Sequence, residues 1–458
     1  MKNVRSDRIL SACILVFAGL RLIGYFVPFM PLTYFTAALL AAIVLWSVPL
    51  MKRATQIVLL VLSVAGVSLL LYAHASFETW AAAVLANGNM VMLLMLVPMI
   101  SAPFFYEDYQ SALKSFAEIR MRNVMSFLLL ISVCTHVLAV IVSIGAVMII
   151  YELMEPFARM YRAEKPFLTT VSRAYNSSGF WSPAWASVIV YSAYPDVRWV
   201  KVIPVGIAFT VLFILLHLAG AYLETRRHPD RYPDIAPDPG VTLDSKRLTR
   251  MLLLAVCMIG SIILVNVTTG WDLMISVSVV SLLFPLIVAL VQNRKRQYRA
   301  QMKLYYDVQI VKSRDQVALF MLSGFLGKAL AVSGVGQLLS GLLPPFLTGY
   351  PALMVAALML LLILPGMAGV HPAATGSAML AAFSPAALGL THYTFALAML
   401  VGWLLTIMMA PYSATGLLLS SLTGKNNYYT SIGINWAFCI VCIAVFSPLI
   451  ALVGPLMG

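Results

Sequence analysis

The chain has 458 residues, 61% of them hydrophobic and only 10% charged, with a mean hydropathy of +0.93. Soluble domains carry about 25% charged residues, so composition excludes a soluble globular protein and leaves the membrane class. The net charge of +13 does not argue for nucleic acid, because the basic residues are scattered through short segments between apolar runs, as a positive-inside bias requires.

The first apolar run, 9–30, follows a basic tip and lacks a small-residue cleavage site, so it reads as a retained helix and not a signal peptide. Further runs at 32–51, 55–74 and 88–105 are each long enough to cross a bilayer as a helix. Basic clusters at 2–8, 52–53, 114–122, 159–173, 226–250 and 295–314, with a lone Lys425, are all assigned to the cytoplasm. The segment 106–122 alternates charged and apolar residues and is expected to lie along the inner interface. Segment 123–153 is apolar with a basic stretch at each end, yet too short for two full helices and a turn. It is therefore predicted to be a re-entrant hairpin, shielded by protein.

Spans at 170–195 and 200–222 follow, then a polar, Pro-rich linker over 223–250. Helices 251–269 and 273–291 form a pair about the turn "TTGWD". The remainder is predicted as a span at 316–342, a second hairpin at 350–388, and spans at 391–424 and 430–455. The expected architecture is an all-α polytopic membrane protein with about 11 transmembrane helices plus two re-entrant hairpins in an inverted repeat. It divides into a three-helix scaffold segment (1–87), a first repeat (88–222), linkers with a helix pair (223–315) and a second repeat (316–458). The N-terminus is placed in the cytoplasm and the C-terminus outside a bacterial-type inner membrane.

The repeat has a sequence trace. The first hairpin contains "SVCTHVLAVIVSIGAVM" (132–148) and the second "GVHPAATGSAML" (369–380), each with one His. The next span of each half carries "YNSSG" (175–179) and "YSATG" (412–416). The charge rule brings the first hairpin in from the cytoplasm and the second from outside. Inverted repeats with broken helices are the architecture of secondary transporters.

Broken helices free backbone groups for ions and substrate. Ser132, Thr135, Thr375 and Ser377 in the hairpins, with Asn176, Ser177, Ser178, Ser413 and Thr415 in the broken spans, supply neutral oxygens and donors. Small polar residues also serve close helix packing. His136 and His371 are candidates for substrate binding or proton coupling, with a structural hydrogen bond at each hairpin tip as the plain alternative. Lys328 lies mid-way along an apolar span and is expected to face a cavity or an anion. Arg21 and Arg173 lie nearer span ends, where they can snorkel, and His217 and His392 read as packing or boundary residues.

No acidic residue sits mid-span, which disfavours a carboxylate proton pump or a polyvalent metal site. Of the cysteines, Cys13, Cys134, Cys257 and Cys439 lie in apolar spans with Cys442 three residues beyond, and none has metal-ligand spacing with His. No cofactor or resident metal is expected beyond Na⁺ or H⁺ as coupling ion, with the hairpin tips the place for Na⁺. Neither a P-loop nor a nucleophile–base pair appears at recognisable spacing, so neither primary transport nor an enzyme is expected.

The segments "FMLSGFLGKALAVSGVGQLLSGL", "GVHPAATGSAMLAAFSP" and "MMAPYSATGLLLSSLTG" resemble the ion transporter superfamily. That superfamily includes divalent anion/sodium symporters and arsenite-exporter and NhaD-like antiporters. The likeness covers about 88–222 and 316–455, mostly by layout. It implies an elevator-type carrier, a homodimer, with a scaffold and a mobile body holding both hairpins. It also implies that Thr135, His136, Asn176, Ser177, Ser178, His371 to Ser377 and Ser413 to Thr415 line the substrate and cation sites. "Cys-Thr-His" and "Gly-Val-His" stand where those symporters carry Ser-Asn-Thr. The reading is a Na⁺- or H⁺-coupled secondary transporter of a small organic anion such as a carboxylate. The alternative is a proton-driven exporter of an inorganic oxyanion or amphipathic metabolite.

Overall fold

The structure, a computed structural model, describes residues 4–51, 53–183, 185–192, 196–234, 244–335 and 344–457. It is 85% helical with no strand among those residues. Eleven helical stretches among them are long and apolar enough to cross a membrane. The chain is a multi-pass, all-α membrane protein.

Five helices open the chain: α1 (Val4–Phe26), α2 (Met30–Ser47), α3 (Arg53–Tyr72), α4 (Phe77–Val84) and α5 (Gly88–Ile100). An amphipathic α6 (Tyr109–Arg120) leads to α7 (Val124–Val142), which Asn123 and Ser126 start with a reciprocal capping box. After a turn at Ser143 (φ 51) come α8 (Gly145–Met160), α9 (Glu164–Ser177), α10 (Ala186–Ser192) and α11 (Trp199–Arg227). Next are α12 (Ser245–Thr269), α13 (Leu273–Val291), α14 (Lys295–Leu304) and α15 (Arg314–Ser333). The last five are α16 (Pro351–Met367), α17 (Pro372–Ala382), α18 (His392–Met409), α19 (Ala414–Thr423) and α20 (Ile434–Val453).

The helices pack into two groups. In one, α1 lies on α2 and α5, α5 on α13, α12 on α13, and α15 on α2, α3 and α4. In the other, α7 lies on α8 and α9, α18 on α16 and α20, and α11 on α7 and α9. The groups meet chiefly where α17 packs along α15. Helix α18 is the centre of the second group: in the stretch His392–Thr423, 94% of the most apolar window is buried. It approaches α16 closely because Gly402 leaves no Cβ to collide with Met359, 3.1 Å from where that carbon would stand.

Each half runs in the same order: a helix pair, a broken helix, a long helix. Both pairs bring their ends together. Phe127 near the start of α7 stacks on Tyr161 just past α8, with ring centroids 5.2 Å apart. Gly389, beyond α17, lies against the Thr348 carbonyl before α16, 3.0 Å from where a Cβ would stand. Both broken helices carry the repeated motif at the break. "YNSSG" spans the end of α9 and runs into a 3-10 turn over Ser178–Phe180, and "YSATG" spans the gap from α18 to α19.

Several boundaries differ from the sequence expectation. The count of eleven agrees, but its membership does not. Val124–Val142 is long enough to span on its own, and 170–195 is not one helix. The first pair continues to Met160, beyond the expected end at 153, because the amphipathic register persists past Glu152 and Glu155. The helix expected over 316–342 ends at Ser333, where Gly334 takes a left-handed conformation (φ 73) that glycine tolerates without strain. Residues 336–343 lie outside the described residues.

Candidate functional site

The two turns and one break converge. Tyr175, buried at the end of α9, sets its hydroxyl beside those of Ser143, in the turn of the first pair, and Thr415, at the start of α19. Gly369, in the turn of the second pair, lies against the Tyr412 ring, 3.2 Å from where a Cβ would stand. Its φ of +99 is a conformation that favours glycine. Tyr412 and Thr415 belong to the same break, so both turns reach it. Ser143, Ala368, Tyr412 and Ala414 are exposed, while Thr415 and Tyr175 are buried.

His136 is not at a turn. It sits within α7, seven residues before Ser143, and both its nitrogens are engaged. Trp181 Nε1, which can only donate, points at His136 Nε2 at 3.3 Å. His136 Nδ1 must then carry the proton and donate to Ser177 Oγ at 2.8 Å. Ser177 in turn donates its hydroxyl hydrogen bond to the Ala174 carbonyl, 2.7 Å away. The ring is a neutral clasp holding α7 to the broken end of α9. Adding a proton at Nε2 would set it against the Trp181 N–H.

His371 is used differently. It is the N-cap of α17, and its Nδ1 accepts from the Ala373 N–H at 3.1 Å. The neutral ring therefore carries its proton on Nε2, and among the described residues that nitrogen has no hydrogen-bond partner. The residue is partly exposed, with Phe320 and Trp403 rings 5.9 and 6.2 Å away. The matched positions in sequence hide two different jobs.

The other candidates divide similarly. Ser132, Ser177 and Ser178 return their hydroxyls to their own helix backbone. Thr375 bonds the Pro372 carbonyl at 3.4 Å, and Ser413 caps α19 by accepting from the Gly416 N–H at 3.1 Å. Ser377 accepts from Asn87 Nδ2 at 3.1 Å, across the boundary between the two helix groups. Thr135 Oγ1, Asn176 Oδ1 and Thr415 Oγ1 are buried with no hydrogen bond closed among the described residues. Tyr191 OH and Trp403 Nε1 share that state, and their rings lie 5.8 Å apart. Gly376 fits between them, 2.8 Å from the Tyr191 hydroxyl at the Cβ position. Buried polar atoms are ordinarily paired, and Ser11, Arg21, Ser182, Trp185 and Ser281 also leave a buried side-chain atom without a partner among the described residues.

Lys328 is exposed on α15, five residues before the helix ends, and its stem is long enough to carry the ammonium toward that end. Arg173 corrects the sequence expectation. It does not snorkel outward but turns in, with Nε on Asn435 Oδ1 (3.2 Å), Nη1 on His217 Nδ1 (3.0 Å) and Nη2 on the Ile434 carbonyl (2.7 Å). His217 is thus a partner of a cation and not mere packing. Asn435 and Trp181 were absent from the sequence reading, because a single Asn or Trp in an apolar run carries no spacing signal.

No family model matches the chain, and no curated protein matches it either. No group of three or more His, Cys, Asp or Glu that could hold a metal occurs among the described residues.

Proposed function

We propose that the protein is a secondary transporter of a small organic anion, coupled to Na⁺ or H⁺ and working by an elevator movement of α7–α11 and α16–α20 against the remaining helices. The observation that carries this reading is the convergence of both helix-pair turns on one helix break. Such a junction brings freed backbone groups and unpaired hydroxyls to a single place, as carriers with repeated broken helices do. The charge-derived topology, which brings the two pairs in from opposite faces, supports it, as does the resemblance to the ion transporter superfamily.

The moving boundary in this reading runs between α17 and α15, and the Asn87–Ser377 hydrogen bond crosses it. In a background lacking the five native cysteines, the pair Asn87→Cys and Ser377→Cys is expected to form a disulfide that stops transport. Reduction should restore it. Unimpaired transport with the disulfide fully formed would refute relative movement at this boundary.

A further inference from the structure

We infer that Arg173 is the group that takes the carboxylate of the transported anion, and that the substrate is a monocarboxylate. This rests on the transporter reading above and narrows its substrate.

A guanidinium has five N–H donors. Three are used here, on Asn435 Oδ1, His217 Nδ1 and the Ile434 carbonyl, leaving one N–H on each terminal nitrogen unclaimed among the described residues. Its surroundings are neutral. The Phe438 ring lies under it at 4.2 Å. Because arginine can only donate, His217 Nδ1 accepts, so the His217 proton sits on Nε2 and points to Thr170 Oγ1 at 2.8 Å. Thr170 in turn donates to the Pro166 carbonyl at 2.7 Å. His217 is therefore neutral and adds no charge of either sign.

No ion pair among the described residues includes Arg173. Glu224, about two turns beyond His217 on α11, makes no ion pair with it. An inward-turned cation in an apolar span is retained where it meets an anion or a pathway. One unclaimed N–H on each terminal nitrogen leaves the guanidinium two donors to offer the two oxygens of a carboxylate.

Arg173 stands beside the break. It is one helical turn before Asn176 and Ser177 on α9 and two residues before Tyr175, so its side chain leaves the opposite side of the helix from the Tyr175 ring, toward α11 and α20. Asn435, its Nε partner, also donates to the Met408 carbonyl, one residue before α18 ends at the break. Among the described residues Arg173 is the one inward-turned cation bonded beside the break: Lys328 is exposed on α15, Lys425 is exposed beyond α19 with its ammonium over the Tyr429 ring, and Arg21 lies against Gly88 at the start of α5. One fixed positive charge balances one carboxylate and leaves a second uncompensated.

The test is binding to the purified full-length protein in nanodiscs, read as the rise in melting temperature on titrating sodium lactate, sodium acetate, sodium succinate or inorganic phosphate. Lactate or acetate is expected to stabilise the wild type. The half-saturating concentration should rise at least about tenfold in Arg173→Gln and less in Arg173→Lys, one hydrogen-bonded charge contact being worth that factor or more. Asn435→Asp puts a carboxylate against Nε, and should abolish the response in a folded protein. Asn435→Asp also loses the Nδ2 donations to the Met408 and Ser431 carbonyls, so Arg173→Lys, which keeps the charge and loses the fork, decides the matter where either variant does not fold. Equal monocarboxylate binding by Arg173→Gln or by Asn435→Asp would overturn the inference. So would a wild type that responds only to succinate or phosphate, or to none of the four. Because the readout is binding, its failure is separate from that of the transporter reading, which gradient-driven uptake tests on its own.

Discussion

Replacing His371 by Ala is expected to cut transport at least about tenfold, the worth of one good hydrogen bond to substrate. The ring has one nitrogen committed to capping α17 and one N–H with no partner among the described residues. It stands at the turn that reaches Tyr412, with Trp403 and Phe320 close by. Losing the cap costs about 1 kcal/mol as well, so the variant needs a control that keeps it. His371→Asn provides one, since an Asn oxygen caps as His371 Nδ1 does. Its stability should match the wild type while its transport falls, because the shorter amide cannot reach where Nε2–H points. Initial rates per folded protein and melting curves for both variants make the check. Full transport by His371→Ala would remove this residue from the mechanism.

His136 gives the opposite pattern. His136→Leu keeps an apolar side chain of similar bulk but strands the Trp181 N–H and removes the Ser177 donor. A buried donor left unpaired costs about 1–3 kcal/mol, so the melting temperature should fall by several degrees. The apparent KM of the remaining folded protein should stay near the wild-type value. A raised KM with an unchanged melting curve would return His136 to the substrate site. Proton coupling through a matched His pair is not what these hydrogen bonds describe. The His136 nitrogens are both satisfied by groups that require the neutral ring, and only His371 presents a free N–H.

What the sequence disclosed follows from which signals are local. Length and apolarity mark helices, so α1, α2, α3, α12, α13 and α20 fall close to their expected places. Glycine, proline and hydroxyl clusters mark breaks, so "YNSSG" and "YSATG" were legible as paired features. Side-chain direction is not local. Whether Lys328 faces out and Arg173 faces in depends on which neighbour covers each helix face, and both are single charges in apolar runs. The role of His136 was hidden for the same reason, since its partners Ser177 and Trp181 are 41 and 45 residues away. The end of α15 at Gly334 was written in the sequence, but the apolar residues that follow masked it.

The central claim is that this chain moves a small organic anion against its gradient by coupling to Na⁺ or H⁺. The most direct test is uptake of radiolabelled lactate and acetate by proteoliposomes, with an imposed inward Na⁺ gradient, an inward H⁺ gradient, or neither. The account predicts accumulation above the external concentration under one of the two gradients, lost when that gradient is collapsed by an ionophore. Equilibration without accumulation under both gradients, or no uptake beyond protein-free liposomes, would contradict it.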